Sequence, residues 1–421
     1  MPTYHIWTIG CQMNKAESDR LAGRFEELGY TLTDTAAGAD LIVLNSCVVR
    51  QSAENRVINK LHALRAVKKT NPDAKIALTG CLVENDTAIL KKQFPHIDEF
   101  FKAGDAPPWL EEPASSPLPA RVKVSELVSI SQGCDNFCTY CIVPYRRGRE
   151  RSKPLDEIVG EVRELVRRGA KEVTLLGQNV DSYGHDLPGQ PDLADLLTGL
   201  NGTDGLLRLR FLTNHPKDMS DKLIGTIARL DRVCEQINLP IQAGSDEVLR
   251  AMRRGYTAEH YLSLINRIKE NVPGVALSTD VIVGFPGETD AQFRETLNLL
   301  STVNFATVHV AAYSTREGTV AAREMEDDVP AAGKKERLTA IERLQEEIQT
   351  ERNARLLGQT VEILVEGRNK GKWYGRTCTD ILVFFTGSRD YTGQPVDIRI
   401  EKTSPWSLQG TPVSTDTIQE E

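Results

Sequence analysis

Apolar positions along this chain recur at two spacings, and the spacing changes in blocks. From residue 3 to about residue 100, short apolar runs at 5–9, 41–45 and 75–79 alternate with amphipathic stretches, the pattern of a small and mainly parallel α/β domain. After residue 120, six more runs at 127–131, 172–176, 206–212, 235–239, 276–283 and 306–312 each precede an amphipathic stretch. Consecutive parallel strands take right-handed helical crossovers and curl toward a barrel; six units fall short of the usual eight and predict an open one. Residues 333–357 read as one charged helix with Leu338, Ile341, Leu344 and Ile348 on one face and Gly358 as its stop. Strand-like runs at 360–366, 381–386 and 396–402 then predict a small β-barrel, a form that often holds nucleic acid and can equally serve as a structural cap.

Residues 106–120 carry Pro107, Pro108, Pro113, Pro117 and Pro119 with Ser115 and Ser116, and read as a linker. The expected class is therefore α/β in three parts: a parallel α/β domain at 1–118, a central partial (βα)6 barrel at 119–356 and a small β-barrel at 357–421. At 421 residues the chain is long for a single domain, and 40% apolar with 26% charged residues excludes a disordered class. The start, MPTYHIWTIG, lacks a basic segment followed by an apolar one, and no apolar run approaches the roughly 18 residues of a membrane span. A cytoplasmic protein without a membrane partner is expected. The formal charge of −8 excludes a surface coated with nucleic acid, but Arg146, Arg147, Arg149, Arg151 and Lys153 stand close together against a single Glu150. That cluster reads either as a solvated loop or as a phosphate-binding patch.

The chain has eight cysteines, and their placement is informative. Cys134, Cys138 and Cys141 form CxxxCxxC just after the first barrel strand. Three thiolates hold three irons of a 4Fe-4S cube and leave the fourth open, where S-adenosylmethionine could chelate and receive one electron. Zinc competes for thiolates but takes four ligands, and no histidine lies between His96 and His185 to complete a local site. Cys11, Cys47 and Cys81 each follow one of the three N-terminal strands. One alone would pass as a small apolar residue. Three at equivalent strand ends point to a second three-thiolate cluster, since ligands in parallel sheets gather beyond the carboxyl ends of strands. Cys234 and Cys378 share neither context and read as ordinary.

The other barrel strand ends carry polar or glycine-rich sequence: Gly177, Gln178 and Asn179; Thr213, Asn214 and His215; Gln242 to Asp246 with Ser245; and Gly284 to Glu288. Barrel active sites lie at that face, so Tyr140, Gly177, Gln178, Asn179, Gln242, Ser245 and Gly284 are candidate cofactor-binding residues, with ordinary turns as the alternative.

These motifs together resemble the radical methylthiotransferases, nearly end to end. The resemblance rests on GCQMN at 10–14, NSCVVR at 45–50 and GCDNFCTYCIVPYRRG at 133–148, with LLGQNVDSYG, LPIQAGSD and VIVGFPGET in the barrel and a C-terminal segment similar to a TRAM domain. It implies a radical S-adenosylmethionine 4Fe-4S cluster on Cys134, Cys138 and Cys141, and an auxiliary 4Fe-4S cluster on Cys11, Cys47 and Cys81 that carries the sulfur. It further implies methylthiolation at C2 of N6-isopentenyladenosine beside the tRNA anticodon, with Arg146, Arg147 and Arg149 toward the RNA and a flavodoxin- or ferredoxin-like electron donor. Related branches act on threonylcarbamoyl-adenosine or a ribosomal protein; an RNA-binding protein with structural metal is the alternative from another class. Residues 358–421 hold seven Lys/Arg against nine Asp/Glu, so basic groups for RNA are expected on one face of that domain or in the barrel.

Overall fold

A computed structural model describes residues 1–83, 86–107, 109–110 and 118–413. Strands β1 (Thr3–Thr8), β2 (Thr31–Leu32), β3 (Leu41–Ser46), β4 (Lys75–Gly80) and β5 (Glu99–Phe100) form one sheet in the order β2-β1-β3-β4-β5. Every pairing in it is parallel. Central β3, LIVLNS, is buried at every position, as expected for a strand covered on both faces. Helix α1 (Gln12–Glu27) sends Phe25 against Tyr4, Leu41 and Val43 on one face. Helix α2 (Gln51–Thr70) sets Val57, Leu61 and Leu64 against Ile42, Leu44, Ile76 and Leu78 on the other. Because β1, β3 and β4 are neighbours, Cys11, Cys47 and Cys81 emerge side by side. Strand order is a matter of tertiary pairing, and the sequence left it open.

In the second part, β6 (Ser125–Ser129) leads into β7 (Ser131–Gln132) and β8 (Arg151–Ser152), an antiparallel pair that clasps the base of the loop holding Cys134, Cys138 and Cys141. Then come β9 (Glu172–Leu176), β10 (Arg208–Leu212), β11 (Gln236–Asn238), β12 (Ala276–Val283) and β13 (Thr307–Ala312). They form two parallel sheets, β10-β9-β6 and β11-β12-β13, joined by a parallel bridge between Leu209 and Val233. This is the expected open six-stranded barrel. The run expected at 127–131 divides between β6 and β7.

The third part is a closed barrel, β14-β15-β16-β18-β17, made of β14 (Thr360–Asn369), β15 (Lys372–Arg376), β16 (Leu382–Phe385), β17 (Pro395–Thr403) and β18 (Leu408–Pro412). The helix Ala331–Ala354 connects it to the open barrel. Of the apolar face expected there, Ile341 is buried while Leu338, Leu344 and Ile348 are only partly so. Lys334, Arg337 and Gln345 are buried beside it because each finds a partner: the Tyr313 carbonyl, the Glu288 carboxylate and the Phe305 carbonyl. Of the expected linker, Pro108, Pro113, Ser115, Ser116 and Pro117 lie outside the described residues.

Alternation along the barrel strands sorts their side chains. Val128, Val173, Leu175, Leu209 and Phe211 point outward into the main apolar core under the helices. The other set faces inward, and the two flanking domains cover it. At the carboxyl half, Leu127, Leu176 and Leu212 pack on Met13 and Ala16 of α1. At the amino half, Arg210 pairs with Glu172 at 2.9 Å. There Arg208 and Arg210 also donate to the carbonyls of Arg376, Thr377 and Cys378 in the C-terminal barrel. Met13 is 5% exposed. Met13→Ala is expected to cost about 2–5 kcal/mol by emptying this contact, read as a lower thermal midpoint and faster proteolytic release of the N-terminal domain.

Candidate active site

The first thiol group is built by two asparagines. Asn14 and Asn45 are fully buried; Asn14 Nδ2 donates to Asn45 Oδ1 at 2.7 Å, and Asn45 Nδ2 donates to the Asn14 carbonyl at 2.9 Å. The start of α1 is thereby pinned to the end of β3, and the Cys11 thiol donates to Asn14 Oδ1 at 3.1 Å. On the other side, the Cys81 N–H donates to the Ser46 carbonyl at 2.8 Å. Gly80 makes that turn at φ +92°, where a Cβ would lie 2.2 Å from the Ser46 oxygen, so only glycine fits. Burial, and then the neighbouring Cys81 and Cys11, push the Cys47 thiol up to about 11.

The second group lies on the loop between β7 and β8. Gly133, at φ +86°, brings Cys134 so close to the returning chain that a Cβ would stand 2.1 Å from the Arg149 carbonyl. Its N–H donates to Gln178 Oε1 at 2.5 Å, which ties the loop to the end of β9. Burial, and then Cys138, push Cys141 up to about 12. Arg254 is almost wholly enclosed beside this group: Nη1 reaches Cys138 Sγ at 3.4 Å, Nε donates to the Tyr256 hydroxyl at 2.8 Å and Nη2 to the Pro240 carbonyl at 3.0 Å. Sequence reasoning missed Arg254; its only local signal is the RRG run ahead of a polar turn. The two groups adjoin, since Ile142, next to Cys141, packs on Cys81 and Val48.

Among the described residues no group of three or more His, Cys, Asp or Glu side chains is placed so as to hold a metal ion. The donor chemistry suits iron–sulfur clusters nonetheless. Each group offers three soft thiols that feel one another's charge, and the raised Cys47 and Cys141 hold protons that a bound metal displaces.

The other expected residues divide. Gly177 follows β9 beside Ser131, and Tyr140 lies within electrostatic reach of Arg254, Cys138 and Cys141 with its ring edge-on to Phe285. Asn179 lines a cavity of about 250 Å³ with Asp135, Asn136, Lys217 and Asp218; its Nδ2 donates to Asp218 Oδ2 at 2.7 Å, while its buried Oδ1 has no protein partner. Gln242 sits at φ +73° on a bridge to Val281, and Ser245 precedes the helix Asp246–Ala251. Gly284 instead packs on the Lys334 stem and donates to Glu288. Of the arginines expected to face RNA, Arg149 is exposed, with its charge paired to Asp135 at 2.7 Å. Arg147 is not offered to solvent: its side chain is 2% exposed and paired to Glu17 of α1 at 2.5 Å, because α1 seats a carboxylate in its path. Cys234 and Cys378, read from the sequence as ordinary, lie near one another at the junction of the two barrels, with Cys378 held below the ordinary thiol range by Cys234 and then by Arg208 and Arg210.

Three family models match the chain: the Radical SAM superfamily at residues 128–300, the Uncharacterized protein family UPF0004 at 3–102 and the TRAM domain at 354–413. The fold is similar to that of the radical S-adenosylmethionine methyltransferase TsrM from Kitasatospora setae, with a TM-score of 0.52 at 12% identity over 76% of this chain and 74% of that one. The class defined is a radical S-adenosylmethionine enzyme, which implies a 4Fe-4S cluster and S-adenosylmethionine. The chain is 56% identical to the tRNA-2-methylthio-N(6)-dimethylallyladenosine synthase of Dehalococcoides mccartyi, over 97% of this chain and 98% of that one. It is 52% identical to that of Chloroflexus aurantiacus over 99% and 92%, and 51% identical to that of Herpetosiphon aurantiacus over 97% and 96%. The chain belongs to the tRNA-2-methylthio-N(6)-dimethylallyladenosine synthase family.

Beside Tyr256 lies a second buried network. Asp181 accepts from the His215 N–H at 2.9 Å and from Asn214 Nδ2, yet burial raises its carboxyl to about 7. His215 is neutral, pushed down to about 2 by burial and then by Arg254. A carboxyl whose folded value lies above its unfolded one binds more protons when folded, so its contribution is complete below about pH 4 and is lost as pH rises toward 7. The loss is at most about 4 kcal/mol. Thermal midpoints from about pH 5 to about pH 8 should fall for the native chain and be flatter for Asp181→Asn; equal slopes would exclude Asp181 as the titrating group.

Proposed function

We propose that this enzyme methylthiolates C2 of N6-isopentenyladenosine in the tRNA anticodon loop, with S-adenosylmethionine as the source of both radical and methyl group. The observation that carries it is the contact between the two cysteine-bearing regions, where Ile142 of the barrel loop packs on Cys81 and Val48 at the strand ends of the N-terminal sheet. The relatives' names support the substrate. An adenine C2–H has neither an acidic proton nor a leaving group, so acid–base and nucleophilic routes are closed to it.

In this reading Cys134, Cys138 and Cys141 hold one 4Fe-4S cluster, and Cys11, Cys47 and Cys81 hold a second. Bound there, the first cluster with S-adenosylmethionine supplies one-electron reductive cleavage and hence a carbon radical. The chain's own residues do the rest. Tyr140 and Arg254 enclose Cys138 and keep water from it. Gln178 orients the loop, and Asn179 presents an unpaired buried acceptor to the cavity beside Cys134. An unpaired acceptor there fits a donor group of the cofactor; Gln242 and Ser245, at other strand ends of the barrel, are further candidates outside this cavity. Arg146 and Arg149 remain the candidates for phosphate. We further assign residues 1–118 to the auxiliary-cluster domain, 119–356 to the radical core and 357–421 to the RNA-binding domain, with the matched spans as support. Electrons come from a flavodoxin- or ferredoxin-like donor. Action in the cytoplasm accords with the substrate, and among the described residues no helix is long and apolar enough to cross a membrane.

Cys138→Ala should abolish reductive cleavage of S-adenosylmethionine, while Cys47→Ala should retain it and yield no methylthiolated product. Chromatographic assay of 5′-deoxyadenosine and of product nucleoside separates the two. Methylthiolated product from the Cys47→Ala chain at the native rate would refute the division of labour.

A further inference from the structure

The loop that carries Cys141 continues into the short helix Val143–Arg147, whose last residue crosses into the N-terminal domain. There the Arg147 guanidinium donates from Nη1 to Glu17 Oε1 at 2.5 Å and from Nη2 to Glu17 Oε2 at 3.4 Å. It lies within electrostatic reach of Cys81 and Cys47, on the same loop as Ile142, which packs on Cys81. Its side chain is 2% exposed and that of Glu17 11%. A buried charge pair at a domain junction is costly to assemble, and hydrophobic residues of the same volume commonly serve stability as well. The pair therefore needs a reason other than holding the domains together. Met13, Ala16 and the Arg20–Glu161 pair already do that.

We propose that Arg147 is a positioning residue for the Cys11, Cys47 and Cys81 group, a buried cation delivered by the radical-cluster loop that balances the charge of the cluster held there. This rests on the two-cluster reading above. A 4Fe-4S core on three thiolates is net negative and becomes more so on reduction, so the nearest fixed cation governs both whether it forms and its potential. Within the first group's own loops, 10–14, 45–50 and 80–83, the one basic residue is the exposed Arg50. The guanidinium beside Cys81 comes from the other domain. Glu17 holds the fork inside the junction rather than in solvent. The consequence is that the auxiliary cluster becomes stable only once the two cysteine loops are docked.

Breaking the pair at one end would leave a buried charge alone and threaten the fold, so the informative variant neutralises both ends: Glu17→Gln with Arg147→Met. Native and variant chains are reconstituted anaerobically with iron and sulfide, metal and sulfide are counted, and spin-resonance spectra are recorded after reduction. The native chain should hold about eight irons, and the double variant about four with S-adenosylmethionine cleavage retained. Loss of both clusters, or of neither, overturns the proposal. A native chain holding about four irons overturns the two-cluster reading and this proposal together. Arg147→Lys keeps the charge but not the fork, so it should load both clusters and shift the potential of the auxiliary one; an unchanged potential overturns the positioning role.

Discussion

A barrel of six strands does not close, and the inner face of its sheet must be covered by something else. Here the cover comes from both neighbours in the chain. Met13 and Ala16 of α1 close the carboxyl half of the face against Leu127, Leu176 and Leu212, and the turn after β15 closes the amino half through Arg208 and Arg210. The two halves use different physics because they face different needs. The apolar seal excludes water near the thiols, whereas the amino half satisfies two buried guanidinium groups with backbone carbonyls and Glu172. Most of what the site does depends on the first seal. The residue that caps the start of α1 is Cys11, so the packing that seats the helix also brings this thiol to the barrel mouth.

The site then follows from how each thiol is delivered. Parallel strands end at one edge of a sheet, and three adjacent ends supply Cys11, Cys47 and Cys81. The Cys134 loop is held instead by the β7–β8 pair and by Gln178. Each group has one buried arginine beside one of its thiols, Arg147 near Cys81 and Arg254 at Cys138. Both arginines lie in the central barrel domain, and Arg147 reaches across the junction to Glu17.

The broad architecture was legible in the hydrophobic pattern because parallel strands buried on both faces read as continuous apolar runs, as LIVLNS does at β3. The runs at 172–176 and 276–283 coincide with β9 and β12. Short edge strands such as β2 and β5 were invisible, since two residues leave no periodic signal. Cysteine spacing pointed to the thiol groups, but the adjacency of β1, β3 and β4 is a long-range pairing that spacing does not encode. The fate of Arg147 was likewise hidden. A run of arginines looks alike whether it faces RNA or a carboxylate 130 residues away, and only the seating of α1 puts Glu17 in its path. Arg254 and the Asp181–His215 network depend on which strand ends become neighbours, so the sequence marked their loops without showing what those loops would bury.

The central claim is that the two cysteine-bearing regions that meet at one barrel face serve the methylthiolation of a tRNA base. Nucleoside mass spectrometry of tRNA from cells with and without this chain tests it most directly. The 2-methylthio derivative of N6-isopentenyladenosine should be present with the chain, and without it only the unthiolated isopentenyl nucleoside should remain. Methylthiolated isopentenyladenosine at the same level in both would contradict it.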